Sequence, residues 1–194
     1  MEKLRSLKPA FIKPHGTVTA GNASSLTDGA SAALLMSEAA ALRAGLAPQA
    51  ALLDHVFVAQ DPKEQLLLGP AYAIAALLKR NGLSVGDVAV WELHEAFAGQ
   101  VLANLAALDS AAFAAGQLGR GAGAPKVGRP DMDRVNTAGG SLGLGHPFGA
   151  TGTRILTTAA KRLRREGARY AVIAACAAGG QGHAMLLERF EPSA

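Results

Sequence analysis

Three side chains have the type and setting that proton and acyl chemistry requires: His94, His146 and Cys176. His94 opens the stretch His94-Glu95-Ala96-Phe97, directly after the apolar run VAVWEL. His146 lies between Gly145 and Pro147 in GHPFGATG, a glycine-rich loop that leads into a helical pattern. Cys176, the sole cysteine, ends the apolar run RYAVIAAC and precedes Ala177-Ala178-Gly179-Gly180-Gln181-Gly182. Each stands where an element ends and glycine lets other backbone approach, which is where layered α/β proteins build their sites. Imidazole exchanges protons near neutrality, and a thiol acts as nucleophile or acid according to its ionisation. Amides of the AAGGQG turn are suited to face developing negative charge.

Taken singly, each residue has a plain structural alternative. A histidine at a sheet edge is commonly a structural group, His146 divides evenly between the two readings, and a lone cysteine in an apolar strand is usually buried and inert. The combination favours acyl transfer through a thiol, with the helix after His146 favouring a nearby anion at its N-terminus. Metal chemistry is not expected. His94-Glu95-Ala96-Phe97-Ala98 lacks the second histidine of a zinc helix, and one cysteine gives neither a metal cluster nor an internal disulfide. The loop around His146 has no lysine after its last glycine, so it is not a nucleotide P-loop.

The elements that must hold these residues follow from hydrophobic spacing. The polar, small-residue stretch 16–29 reads as a long loop. Residues 30–44 are apolar without a clean period, open to helix or to strand then helix. ALLDHVFVA, 51–59, is β-prone, and Ile74, Leu77 and Leu78 mark a helix over 66–80 that stops at Asn81-Gly82. A strand over 88–94 leads to a helix over 95–108, and 109–134 reads as a surface excursion. Ile155, Ala159 and Leu163 line a helix over 150–166, and the last two strands, joined by a short turn, should be antiparallel. Strands alternating with helices predict an α/β layered domain.

Composition sets the remaining bounds. The 194 residues, 49% hydrophobic and 18% charged, suffice for one ordinary domain or one and a fragment, and the net charge is +4. The densest basic run, Lys161, Arg162, Arg164, Arg165 and Arg169, is expected to sit in water at a helix end. No aromatic residues interleave with it, so nucleic acid is not an expected partner. Met1-Glu2-Lys3-Leu4-Arg5 precedes no apolar run and no segment reaches a membrane span, so the expected location is cytoplasmic, in a reducing compartment.

HEAFAGQ, NTAGGSLGLGHPFGATG and CAAGGQGHAMLLE resemble the C-terminal motifs of the thiolase family. The form HEAF in place of the commoner NEAF, with SLKPAFIKPHGTVTAGNASSLTDGAS and QDPKEQLLLGP, resembles one branch of it. That branch is the 3-ketoacyl-CoA thiolase subunits of fatty-acid β-oxidation complexes, the mitochondrial trifunctional β subunit and its bacterial counterparts. The likeness runs over essentially the whole sequence. It implies the five-layered thiolase fold of two βαβαβαββ halves. Residues 1–65 would be the tail of the N-terminal domain, with a CoA-contacting loop, a strand over 30–36, a helix and a last strand. Residues 66–194 would be the C-terminal domain.

The resemblance also implies roles. His146 would activate the nucleophilic cysteine and help hold the thioester oxygen. Cys176 would exchange a proton with the α-carbon of acetyl-CoA, and His94, in the usual asparagine's place, would help hold an oxyanion-hole water. The Ala178 amide would serve the second oxyanion hole, and Ala23 and Ser24 match the loop that contacts the pantetheine of CoA. The implied activity is CoA-dependent cleavage of 3-ketoacyl-CoA, with CoA as substrate and no metal. The family's nucleophile lies in the N-terminal half, so this chain is expected to need that half. A hydratase/dehydrogenase subunit and a homo-oligomer are the other expected partners. The alternatives are a non-catalytic thiolase-fold module that oligomerises or binds, and a ketoacyl synthase relative, which would share the His146 loop without needing Cys176.

Overall fold

A computed structural model of the chain describes residues 2–191. Helix α1 (Glu2–Arg5) precedes the loop that carries Ala23 and Ser24. Helix α2 (Glu38–Arg43) starts at Ser37, whose hydroxyl accepts from the Ala40 amide. Strand β1 (Ala50–Ala59) and helix α3 (Pro62–Gln65) follow, the latter capped by Asp61. Helix α4 (Gly69–Arg80) ends at Asn81-Gly82, as its sequence predicts, with Gly82 at φ 64°. Strand β2 (Val88–Leu93), helix α5 (Ala98–Leu108), helix α6 (Ser141–Leu144), helix α7 (Gly149–Arg165), strand β3 (Tyr170–Ala177) and strand β4 (Gln181–Arg189) complete the chain.

The strands form one mixed sheet in the order β1-β4-β3-β2. β2 and β3 run parallel with Leu93 opposite Ala174, while β4 is antiparallel to both β3 and β1. Helices cover both faces. Ile74, Leu77, Leu105 and Leu108 of α4 and α5 pack on Trp91, Val172 and Leu186, and on the other face Ile155, Ala159 and Leu163 of α7 pack on Val90, Ala171 and Ile173. Each such large side chain contributes about 1.5–3 kcal/mol on leaving water. The α4 layer sits close to β4 because Gly69 meets Gly182 backbone to backbone, where a side chain on either glycine would collide.

Three expectations meet a different outcome. The strand expected over 30–36 is absent, for the segment pairs with none of the described strands and leaves Leu34 76% exposed. An extended segment becomes a strand only where a sheet edge accepts its amides and carbonyls. Arg162, expected in water with the rest of the basic run, is 2% exposed and bonds Glu92 at 2.8 Å, Glu166 and the carbonyls of Trp91 and Arg134. Lys161, Arg164 and Arg165 do face outward. The 109–134 excursion is partly internal, since Ala114 is buried and Phe113, Leu118 and Val127 pack on the core. Strand β1, which precedes residue 66, pairs with β4 along its length.

Val56 and Val58 of β1 face α4, so His55 and Phe57 face the α7 side by strand alternation. There α7 packs on β2 and β3, and Phe57 stays 73% exposed, stacked on His183 with centroids 4.3 Å apart. Among the described residues no helix is long and apolar enough to cross a membrane.

Candidate active site

β2 and β3 deliver the first two reactive residues to one end of the sheet. The His94 amide donates to the Ala174 carbonyl at 2.8 Å, which extends the parallel pairing by one residue beyond Leu93. Cys176 stands two residues further along β3, near its C-terminal end. Ala178 follows in the turn 178–180 between β3 and β4, exposed at that same edge.

His146 arrives from another direction. Its amide donates to the Ser25 carbonyl at 2.8 Å, and the loop passes directly into α7 through Phe148, a non-glycine residue at φ 35°. Such a conformation costs on the order of 1–3 kcal/mol and persists where surroundings fix it. Here the Ser31 hydroxyl donates to the Ala150 carbonyl at 2.7 Å and ties the first turn of α7 to the end of the front loop, residues 16–31. Gly145, at φ 96°, admits Thr27 where a side chain would stand.

The front loop straps these parts together. The Ser24 amide donates to the Ala96 carbonyl at 2.9 Å, the Ala98 amide donates to the Asn22 carbonyl at 2.9 Å, and Ala23 bridges Phe97. The polar stretch 16–29 is therefore a structured span between the His94 segment and the His146 loop. All six residues singled out from the sequence thus lie on segments that meet at one end of the sheet. The His94 and His146 rings are in contact, with centroids 4.3 Å apart.

Electrostatics assign these groups distinct states. Burial first, then the charges of His146 and Arg154, hold the His94 imidazole down to about 4, and His94 is only 4% exposed. Burial and Arg154 likewise lower His146. Burial pushes the Cys176 thiol up to about 11, so it is protonated at neutral pH. The site thus contains two neutral imidazoles and one thiol able to give a proton.

Several supporting residues carried no signal strong enough to single them out. Ser141 Oγ lies 2.9 Å from His94 Nδ1, and Thr151 Oγ1 lies 2.7 Å from His146 Nδ1. Glu95 accepts from the Leu142 amide at 3.0 Å and from Asn136 Nδ2 at 2.5 Å. Asn136, at φ 49°, also exchanges hydrogen bonds with both backbone groups of Leu93. The only available signal was membership of the same motifs, since hydroxyl and amide partners have no spacing rule across a fold. Among the described residues, no three His, Cys, Asp or Glu side chains gather as a metal site.

The thiolase C-terminal domain profile matches residues 46–189, and the thiolase N-terminal domain profile matches residues 1–39. The chain belongs to the thiolase family. A probable 3-ketoacyl-CoA thiolase of Caenorhabditis elegans is 62% identical over 190 residues, covering 98% of this chain and 42% of the relative. The mitochondrial trifunctional enzyme subunit beta of Bos taurus is 57% identical, covering 98% of this chain and 39% of that one. Human mitochondrial 3-ketoacyl-CoA thiolase, solved in complex with CoA, superposes with a TM-score of 0.78 at 34% identity, covering 98% of this chain and 43% of that one. This thiolase chain therefore spans about two fifths of the length of the relatives it matches. The α/β sheet with its two helical layers is thiolase fold.

Proposed function

We propose that these residues serve CoA-dependent cleavage of a 3-ketoacyl-CoA into acetyl-CoA and a shortened acyl-CoA, as part of fatty-acid β-oxidation. The observation that carries the reading is the contact between the His94 and His146 rings at the end of the parallel strand pair that carries the protonated Cys176. Breaking the bond between the α- and β-carbons needs a thiolate to attack the ketone, an acid to protonate the departing α-carbon, and donors for two oxyanions. A buried protonated thiol suits the acid, so Cys176 gives its proton to that carbon. His146 takes the proton of the nucleophilic thiol and holds the thioester oxygen, and His94 holds a water against the developing oxyanion. The Ala178 amide serves the second oxyanion, and Ala23 and Ser24, on the strap between the two histidine segments, contact the pantetheine of CoA.

The only cysteine among these 194 residues is assigned the acid, so the attacking thiolate comes from the other thiolase half. A hydratase/dehydrogenase subunit as partner is supported by the likeness to a relative named trifunctional enzyme subunit beta. That relative is named mitochondrial, and both that compartment and the cytoplasm expected from the sequence keep Cys176 reduced. The division into residues 1–65 and 66–194 is kept as the proposal for where the two thiolase domains meet.

The test is CoA-dependent thiolysis of a 3-ketoacyl-CoA by the purified chain, alone and mixed with a separately expressed N-terminal half from a close relative. Activity on mixing, abolished by His146→Ala or Cys176→Ala, is the expected result. No activity in a complex that forms would overturn the reading. One observation favours a second reading as a non-catalytic module that oligomerises: the exposure of the large apolar side chains Phe57 and Leu34. Light scattering decides that point, and a monomer at micromolar concentration would count against a homo-oligomer.

A further inference from the structure

His94 is held by a relay that the proposed chemistry does not itself name. Arg154, on the second turn of α7, donates from Nη2 to Ser141 Oγ at 2.8 Å, and Ser141 Oγ lies 2.9 Å from His94 Nδ1. Ser141 is fully buried, and its oxygen touches no other polar group among the described residues.

The proton positions follow from counting donors. A guanidinium has no acceptor, so the bond from Arg154 uses a lone pair of the serine oxygen. The serine proton must then find an acceptor, because a buried hydroxyl left without one costs about 1–3 kcal/mol. His94 Nδ1 is the one acceptor in reach. If Nδ1 instead carried the proton, two donors would converge on Ser141 and its own proton would be stranded. We infer that Arg154 and Ser141 are positioning residues that fix His94 as the neutral Nε2–H tautomer, a permanent hydrogen-bond donor to a substrate oxygen or bound water.

Two further observations agree. No protein group among the described residues bonds His94 Nε2, so that N–H is left for a ligand. Arg154 forms no ion pair within 4 Å among the described residues, and its charge, felt also by Glu92, opposes a second proton on either imidazole. The other charged groups nearby are committed elsewhere, Glu95 to Asn136 and the Leu142 amide, and Glu92 to Arg162. The use of the donor in an oxyanion site rests on the acyl-transfer reading, whereas the tautomer does not.

The experiment is a long-range proton–nitrogen correlation spectrum of the full 194-residue chain labelled with nitrogen-15 in its five histidines, with His94 assigned through His94→Gln. The expected wild-type spectrum shows His94 at pH 7 as a single Nε2–H tautomer, with Nδ1 at the shift of an unprotonated ring nitrogen. Ser141→Ala should shift the population toward Nδ1–H by at least severalfold. Arg154→Met should do so in part, and Arg154→Lys, which keeps a cationic donor, should restore the wild-type pattern. Unchanged His183 signals from β4 report an intact sheet in each variant. Nδ1–H in the wild type, or a tautomer indifferent to both Ser141→Ala and Arg154→Met, would overturn the relay. The wild-type spectrum decides by itself if a variant does not fold. Absent thiolysis in the complex with the N-terminal half, with the Nε2–H tautomer in place, would sink the acyl-transfer reading and leave the relay standing.

Discussion

The His94 and His146 rings stand with centroids 4.3 Å apart and planes inclined by 43°, one delivered by a strand end and the other by a helix-opening loop. Two imidazoles so close cannot both be protonated cheaply, and burial with Arg154 nearby lowers both. At neutral pH both rings therefore start neutral, which leaves His146 able to accept a proton.

This arrangement makes stability depend on pH. His94 takes up its proton at about 4 when folded and near its ordinary 6.5 when unfolded. Between those values the unfolded chain binds more protons, so stability is fully present above 6.5 and declines as pH falls toward 4. The loss assignable to His94 is about 3 kcal/mol at most. Urea unfolding at pH 7.5 and pH 4.5 should show this decline, and His94→Gln should make it shallower. An equal decline in wild type and variant would rule out His94 as its source.

Cys176 is expected to behave as an acid and not as a reactive thiolate. With the thiol raised to about 11 by burial, alkylation by iodoacetamide at pH 8 should run about a hundredfold slower in the folded chain than in urea. The folded rate should keep rising with pH beyond 9. A rate matching the unfolded chain would mean that burial does not raise the thiol, and the acid reading would lose its electrostatic support.

How much of this was legible in the sequence depends on the range of each interaction. Strand β2, helix α7 and the β3–β4 hairpin are visible because Trp91, Ile155 and Ile173 repeat at strand or helix spacing and pack accordingly. His94, His146 and Cys176 are visible because each stands where an element ends, with glycine next to His146 and three residues beyond Cys176. Arg162 was not, since burial of a guanidinium requires Glu92 from 70 residues earlier plus two backbone carbonyls, and spacing along the helix does not report a partner on another strand. Ser141 was hidden for the same reason. Its importance lies in what it touches, and it touches a strand end 47 residues away. Segment 30–36 fails in the opposite sense: its residues left helix and strand open, only the family resemblance implied a strand, and the segment pairs with none of the described strands.

The buried Arg162–Glu92 pair gives a third prediction. Burial raises the Glu92 carboxyl, and the guanidinium opposes that by bonding it. Removing one partner strands the other charge, so Arg162→Met should destabilise by about 3–5 kcal/mol. In the double variant Arg162→Met with Glu92→Leu, much of that loss should return, because no unpaired carboxylate remains in the core. Urea unfolding of the four proteins completes the cycle. A double variant as unstable as the sum of the singles would mean that the carbonyls of Trp91 and Arg134, and not Glu92, dominate the role of Arg162.

The last prediction concerns Thr151, which is buried on the first turn of α7 and holds His146 Nδ1 at 2.7 Å. The opposite ring nitrogen, Nε2, is the one free to meet a thiol, so the hydroxyl sets the angle at which His146 presents it. Thr151→Val keeps the shape and removes the bond. In the reconstituted enzyme it should lower kcat by about 10- to 100-fold, because small displacements of a catalytic ring are costly. KM should change little, since the strap through Ser24 and Ala96 is untouched. Thr151→Ser, which restores the hydroxyl, should recover most of the rate. A parallel rise in KM, or failure of the serine variant to recover, would place Thr151 in packing the helix start and not in orienting His146.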